Sequence, residues 1–394
     1  MTGRPWQSGG QVTLLLGDAR DHLAQLPAAS ADCVVTSPPY YRLRDYGVPG
    51  QYGLEDTPDA YIAHLRAVFG EARRVLAADG TLWLNLGDCY VSGPTGPRRS
   101  SGLGGRPNAA TTPHRSGGKN GGGLPAKSLL DMPWRVAFAL QADGWLLRSC
   151  VIWHKPNAMP ESVRDRPAAK HEYLFLFARQ ARYWFDLDPI RVPLKRPDAL
   201  LRGNLVFGGA RKGRQGGIGA TARRRGHNVY GAKYDATPRV WAGRPPGADM
   251  RPAAEHHGAA SIRGANPGTV WTIPTRPLRQ AHFAPFPIDL PLRAIAAGCP
   301  PARCATCGAP TTAGNGPATQ RLSRAMPGHR DCGHPAIRPC VVLDPFSGAA
   351  TTGLAALQLG RAYVGIDINP AYHDLARQRL ACLPDGPSDQ GAAA

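Results

Sequence analysis

The 394-residue sequence nowhere contains the run of about eighteen apolar residues that a membrane helix needs. Its first ten residues, MTGRPWQSGG, hold no apolar stretch of signal-peptide length. Neither a membrane span nor an export signal is therefore expected. Acidic residues are scarce: 28 Asp+Glu stand against 47 Lys+Arg, a formal charge of +19. So large a surplus points to a polyanionic partner, with nucleic acid first and a membrane surface second. The bland alternative is a GC-rich genome that writes Arg in place of Lys. Cysteine is too unevenly spread for a disulfide framework. Cys33, Cys89, Cys150 and Cys382 lie singly, while the other five of the nine crowd into 299–340. That distribution favours a local metal site.

What is plentiful is glycine and proline, 47 and 39 residues, more than helices and strands can absorb. Two segments take much of the excess. Ser92–Pro125 has no acidic residue and reads as a mobile basic loop. Lys195–Val240 carries eleven Lys/Arg against Asp198 and Asp235, without sustained periodicity. It is either a solvated linker or, the reading favoured here, a grip on a nucleic-acid backbone.

Elsewhere strands and helices alternate, the signature of an α/β sheet. Val12–Leu16 reads as a strand, followed by a helix to Leu26 and a strand at Cys33–Val35. Thr57 caps a helix with Pro58 in its first turn, and Ile62, Leu65, Val68, Phe69, Ala72, Val75 and Leu76 follow helical spacing. Asp79-Gly80 ends it and Thr81–Leu86 reads as a buried strand. Leu129–Leu140 is expected as a helix, Leu146–Trp153 and Tyr173–Phe177 as strands. Near the far end come strand Val341–Asp344, a turn of small residues, helix Thr351–Leu359 and strand Tyr363–Asp367. Asp344 and Asp367 are 23 positions apart, close to the spacing in a nucleotide-binding βαβ unit.

Three constellations carry chemistry. Ser37-Pro38-Pro39-Tyr40 follows a strand; its prolines remove two donors, leaving a hydroxyl, carbonyls and an aromatic face. Such a set suits the exocyclic amine of a stacked base, although alone it would pass for an ordinary Pro-Pro turn. Asp344-Pro345-Phe346-Ser347-Gly348 with Thr351 is a tight turn, though one glycine makes a weak nucleotide signal. Cys304-x2-Cys307-Gly308 is half a zinc knuckle, completed 25 residues on by Cys332, with Cys340 or, in its place, His334 as fourth ligand. Reduced thiols without metal, and after them a redox function, are the alternatives. Pro339-Cys340 precedes the turn, so the chain does not resemble the cytosine-C5 enzymes, whose nucleophilic Pro-Cys would follow it.

Together these motifs resemble the amino-methyltransferases of DNA that use S-adenosylmethionine, in the permuted β order with the tetrapeptide first and the cofactor turn last. The resemblance spans most of 11–383 and includes Gly80–Asp88, Trp153–Asn157, Pro160–Val163, His171–Tyr173 and His282–Pro287. It implies a Rossmann-like α/β methyltransferase sheet with two inserts, one basic and target-reading, one Cys-rich. The expected layout is a catalytic half at 11–190, a target-recognition region at 191–275 and a cofactor-wall segment at 276–298. A zinc-like insert at 299–340, a cofactor half at 341–383 and a disordered tail at 384–394 complete it.

By the same resemblance Ser37, Pro38, Pro39 and Tyr40 are catalytic. Asp344, Pro345, Phe346, Ser347, Gly348 and Thr351 surround the cofactor, Asp367 takes its ribose hydroxyls and Asp18 its adenine amine. Phe283 and Phe286 wall the site. Arg211, Lys212, Arg214, Arg223, Arg224 and Arg225 are expected to hold double-stranded DNA. One departure stands out: Ala349-Ala350 occupies positions where the family usually has Ser-Gly, and alanine does not adopt positive φ cheaply.

Ser before Pro-Pro-Tyr is typical of cytosine-N4 enzymes, so transfer to that amine is expected, with adenine-N6 as the alternative. A non-catalytic zinc and DNA-binding protein with a degenerate core is the reading from a different class. The resemblance also implies a cytoplasmic, bacterial or phage-encoded enzyme, one that can work beside a cognate restriction endonuclease without requiring it.

Overall fold

The computed structural model describes residues 6–8, 10–91, 121–193, 264–276, 286–311, 332, 334 and 336–381. The chain divides into a larger unit, 1–189 with 268–394, and a smaller one, Ile190–Pro267. Most of the basic loop, Phe283, all six expected DNA-holding residues and the tail lie outside the described residues. In the smaller unit Val192 and Ala265 pair as an antiparallel bridge, and Arg191 donates to the Gly264 carbonyl at 2.9 Å.

Among the described residues the larger unit is built on a nine-stranded sheet. Its strands are β1 (Trp6–Ser8), β2 (Val12–Leu16), β3 (Ala31–Thr36), β4 (Leu76–Leu86), β5 (Leu146–His154), β6 (His171–Ala178), β7 (Val270–Thr272), β11 (Val341–Asp344) and β12 (Ala362–Asp367). Three further short strands, β8 (Ala302–Cys304), β9 (Pro310–Thr311) and β10 (Ile337–Pro339), form a separate antiparallel ribbon in the order β10-β8-β9. The large sheet runs β1-β2-β12-β11-β3-β4-β6-β5-β7. From β2 to β4 it is parallel; β6 is antiparallel to both β4 and β5, and β7 is parallel to β5. The last two long strands, β11 and β12, thus fill the middle of the sheet between β2 and β3.

Helices cover both faces. On one side α1 (Ala19–Gln25), α2 (Pro58–Val75) and α3 (Met132–Ala142) pack in a row. The α2 start follows its capping chemistry: the Thr57 hydroxyl accepts the Ala60 N–H at 3.1 Å and Pro58 opens the helix. Its stripe of Tyr61, Leu65, Val68, Phe69, Ala72 and Val75 is buried with Leu82, Leu84 and Leu86 of β4. Thr81 points the other way, and its hydroxyl donates to Gly298 at 2.8 Å. Gly298 ends α4 (Asp289–Gly298), which packs against α5 (Thr351–Gln358); α6 (Pro370–Ala381) lies beside β2 and β12.

Several boundaries differ from those expected, among them the start of α3, at Met132 and not Leu129. The division falls at Pro267, and β7 joins the large sheet because the backbone at 269–272 pairs with β5, so residues to 275 do not all belong with the smaller unit. Strand β4 begins at Leu76, directly after α2, so Asp79-Gly80 lies inside a strand. Asp289–Gly298 is a helix under the sheet, which leaves Phe286 as the described aromatic of the expected wall.

Candidate active site

Parallel strands bring their carboxyl ends to one edge, where open α/β sheets bind ligands. Gly17, Ser37, Gly87, Pro345 and Ile368 follow β2, β3, β4, β11 and β12 directly. The reversed direction of β6 adds its first residues, His171 and Glu172, to that edge beside the end of β5. A cavity of about 930 Å³ opens there. Its wall includes Ser37–Tyr40, Asn85, Lys155, Glu172, Phe286, Asp344–Ala349, Thr351 and Asp367. The two motifs, some three hundred residues apart in sequence, share one wall.

Tyr40 is the centre of a polar network. Its hydroxyl donates to Glu172 Oε2 at 2.6 Å and lies 3.2 Å from Asn85 Oδ1, while Ser37 Oγ donates to it at 3.2 Å. Burial pushes the phenol well above its ordinary pKa, and the Glu172 charge adds to that, so Tyr40 stays protonated. Glu172 is ion-paired with Lys155, whose ammonium sits 4.5 Å from the Trp153 ring centre. Tyr61 donates to the Pro39 carbonyl at 2.9 Å, fixing the turn from beneath. Gly87 makes room for the ring: a Cβ there would lie 2.6 Å from Tyr40 Cε2.

On the other side of the cavity, Asp344 organises the turn. Its carboxylate accepts Thr36 Oγ1 and Thr352 Oγ1, each at 2.6 Å, and the Phe346 N–H at 3.0 Å. Burial still raises its pKa to about 6. Asp367 accepts the N–H of Gly348 at 2.7 Å and of Asn369 at 2.8 Å. Burial raises it too to about 6, those two N–H groups opposing the rise. Ser347 faces inward, its hydroxyl 2.8 Å from that of Tyr363, and Thr351 Oγ1 accepts Arg379 at 3.2 Å. Phe346 meets Tyr52 edge-on at 5.4 Å.

Asp18 differs from its expected place. It caps α1, accepting the Asp21 N–H at 3.1 Å, and takes the Tyr52 hydroxyl at 2.9 Å. Its neighbours Gly17 and Ala19 line the cavity and Asp18 does not. The capping geometry that follows β2 turns its carboxylate onto the helix.

Glu172, Lys155 and Asn85 escaped the sequence reading as site residues. Asn85 had a signal: it is a polar residue in the apolar run of β4, and it is 1% exposed. Glu172 and Lys155 lie in the resemblance segments His171–Tyr173 and Trp153–Asn157, but their pairing depends on the antiparallel register of β5 and β6.

In the Cys-rich ribbon the substitute fourth ligand, His334, takes the place beside the three cysteines. Donor atoms of Cys304, Cys307, Cys332 and His334 all lie within 4.8 Å of one another. Cys340 is not among them. It follows β10 into the sheet, fully buried beside Cys299.

A mixed sheet with a parallel centre, a strand-end acid, a small-residue turn and a Ser-Pro-Pro-Tyr loop on one crevice defines a Rossmann-like methyltransferase. The chain belongs to the DNA methylase family of N6 and N4 methyltransferases, whose model matches residues 31–378. It is 34% identical over 378 residues to the Type II methyltransferase M.Cfr9I of Citrobacter freundii, covering 94% of this chain and 87% of that one. It is also 34% identical over 368 residues to M.SmaI of Serratia marcescens, covering 93% and 90%. Among solved structures it resembles the cytosine-N4-specific PvuII DNA methyltransferase, with TM-score 0.52 and 15% identity over 96% of this chain and 88% of that one. That likeness is one of fold. Among the described residues no helix is long and apolar enough to cross a membrane.

Proposed function

We propose that this DNA methyltransferase moves a methyl group from S-adenosylmethionine to the N4 amine of a cytosine flipped out of duplex DNA. The observation that carries the reading is the single cavity shared by Ser37–Tyr40 and the Asp344–Thr351 turn. The donor set fits the cofactor: a buried carboxylate at the end of β12, a small-residue turn beside it, and the rings of Phe286 and Phe346 in the wall. Asp367 would take the ribose hydroxyls, and the Gly348–Thr351 backbone would border the methionine portion. Asp344 acts at one remove, by holding the turn. The bound cofactor supplies an electrophilic methyl on a sulfonium.

The chain's own residues do the rest. An exocyclic amine is a poor nucleophile because its lone pair is spread into the ring. With its proton directed to Tyr40, Ser37 Oγ turns its lone pairs to the amine, and the Pro38 carbonyl takes the second N–H. Two acceptors favour a pyramidal nitrogen and stabilise the positive charge that develops on it. Tyr40 offers its ring to the base while Glu172 and Lys155 fix its hydroxyl. In-line placement supplies much of the acceleration.

The Type II designation of the relatives supports a sequence-specific enzyme, the modification partner of a cognate endonuclease. The basic segment 195–240 is read as the DNA grip. Serine at position 37 favours cytosine over adenine.

The test is expression in bacteria free of DNA methylation, followed by sequencing that separates N4-methylcytosine from N6-methyladenine, with Tyr40→Ala as control. N4-methylcytosine in one sequence context, abolished by the substitution, is expected. N6-methyladenine would overturn the choice of base, and full methylation by Tyr40→Ala would overturn the role of the loop.

A further inference from the structure

We propose that Cys304, Cys307, Cys332 and His334 bind one zinc ion that clamps the ribbon beneath the sheet and takes no part in methyl transfer. The four donor atoms converge within 4.8 Å although they come from two places in the chain, the β8–β9 turn and the approach to β10. Cys304 Sγ and His334 Nδ1 are 3.6 Å apart. Zinc bonds of about 2.3 Å to sulfur and about 2.0 Å to nitrogen, at a tetrahedral angle, separate the two ligand atoms by about 3.5 Å. Cys304 Sγ also accepts the Cys307 N–H at 3.4 Å, and Gly308 turns the chain with φ +71°. The Cys-x2-Cys-Gly segment is therefore already folded as a knuckle.

Core packing does not explain the cluster. Cys304 is buried, but Cys307 and His334 are exposed, so no apolar contact draws them together. Three thiolates with a neutral imidazole form a closed structural set, leave no coordination position for water, and prefer zinc over hard cations.

The position explains the role. Strand alternation sends Arg303, next to Cys304, away from the cluster and into the base of the sheet. There it is ion-paired with Asp32 and bonds Asp79 at 2.6 and 3.1 Å. Asp32 is wholly buried near the start of β3 and also accepts the first N–H of β11, from Val341, at 2.8 Å. The same guanidinium donates to the Gly308 carbonyl at 2.9 Å, so it holds the knuckle turn directly. A metal that fixes this turn keeps Arg303 seated on the two acids. Asp32 lies at the opposite end of β3 from Ser37, which separates the clamp from the cavity.

The test is elemental analysis of full-length protein purified without chelators. About one zinc per chain is expected. It should be lost in Cys307→Ser and His334→Ala, but kept in His334→Cys, which preserves a four-ligand set, and in Cys340→Ser. A strong chelator should lower the melting temperature and added zinc restore it, with Cys307 and Cys332 alkylated only after chelation. His334→Cys should methylate at the wild-type rate. Should Cys307→Ser not fold, the chelation and alkylation series on the wild-type chain decides alone. Metal-free protein whose melting ignores the chelator, or a Cys307–Cys332 disulfide found by mass, would overturn the proposal.

Discussion

Ala350 holds φ +56° and ψ +40° at the start of α5, a left-handed conformation that costs a residue with a Cβ about 1–2 kcal/mol. The sequence departs from the family at both Ala349 and Ala350, but only Ala350 takes positive φ. Ala350→Gly should therefore raise the unfolding free energy by about 0.5–1 kcal/mol, part of the relief being offset by glycine's freedom in the unfolded chain. Denaturant titration checks it, and a loss of stability would show that the Ala350 methyl packs better than its backbone strains. Asp367 gives a second prediction. Its folded pKa of about 6 lies above the ordinary carboxylate value. Ionised Asp367 therefore costs stability at neutral pH, and that cost is recovered as pH falls from about 6 to about 4. A ligand that donates hydroxyls to the carboxylate needs it ionised. S-adenosylmethionine should consequently bind more weakly as pH drops below about 6, by calorimetry, and Asp367→Asn should flatten that dependence. An unchanged profile in Asp367→Asn would remove the acid from the cofactor site.

Among the elements, those with strong local chemistry were legible. Helix α2 could be read from Thr57, Pro58 and its apolar stripe, and β2, β11 and β12 from apolar runs closed by Gly17, Asp344 and Asp367. The strand β7, three residues with only Trp271 buried, carries no periodicity and exists because β5 offers it an edge. Helix α4 was hidden behind Pro287 and Pro291, residues that argue against a helix until the first falls outside it and the second within its first turn. The site was legible to the same degree. Ser37–Tyr40 and Asp344–Thr351 are contiguous motifs, whereas Asn85, Lys155 and Glu172 meet only through strand register. Position 87, at the mouth of β4, tests how tightly that register holds the tetrapeptide. Gly87→Ala would bring a methyl 2.6 Å from the Tyr40 ring and force it to shift. Misplacement of about 1 Å costs roughly a hundredfold in rate. Single-turnover methylation should fall by about that factor while cofactor affinity holds; an unchanged rate would mean that the ring has slack.

For the whole molecule, the charge of +19 is the property that reaches farthest. Arg223, Arg224 and Arg225 are consecutive in the sequence and show no helical spacing. Replacing all three with alanine should weaken binding to every duplex alike. Each lost phosphate contact should also shallow the slope of log affinity against log salt by roughly one unit. The methylated sequence should stay the same. A relaxed target set with an unaltered salt slope would instead assign these arginines to base edges. The order of the strands bears on how the molecule is made. In chain order β3 comes early, yet its neighbour β11 and the strand that joins β11 to β2 follow about three hundred residues later. Until those strands are made, the inner edges of β2 and β3 lack the partners they have in the folded sheet. The nascent chain must keep those edges from foreign partners while more than three hundred residues are added, and only when β12 slots beside β2 can the two halves of the catalytic wall face each other. A ribosome that stops early therefore releases a chain able to aggregate but unable to modify DNA.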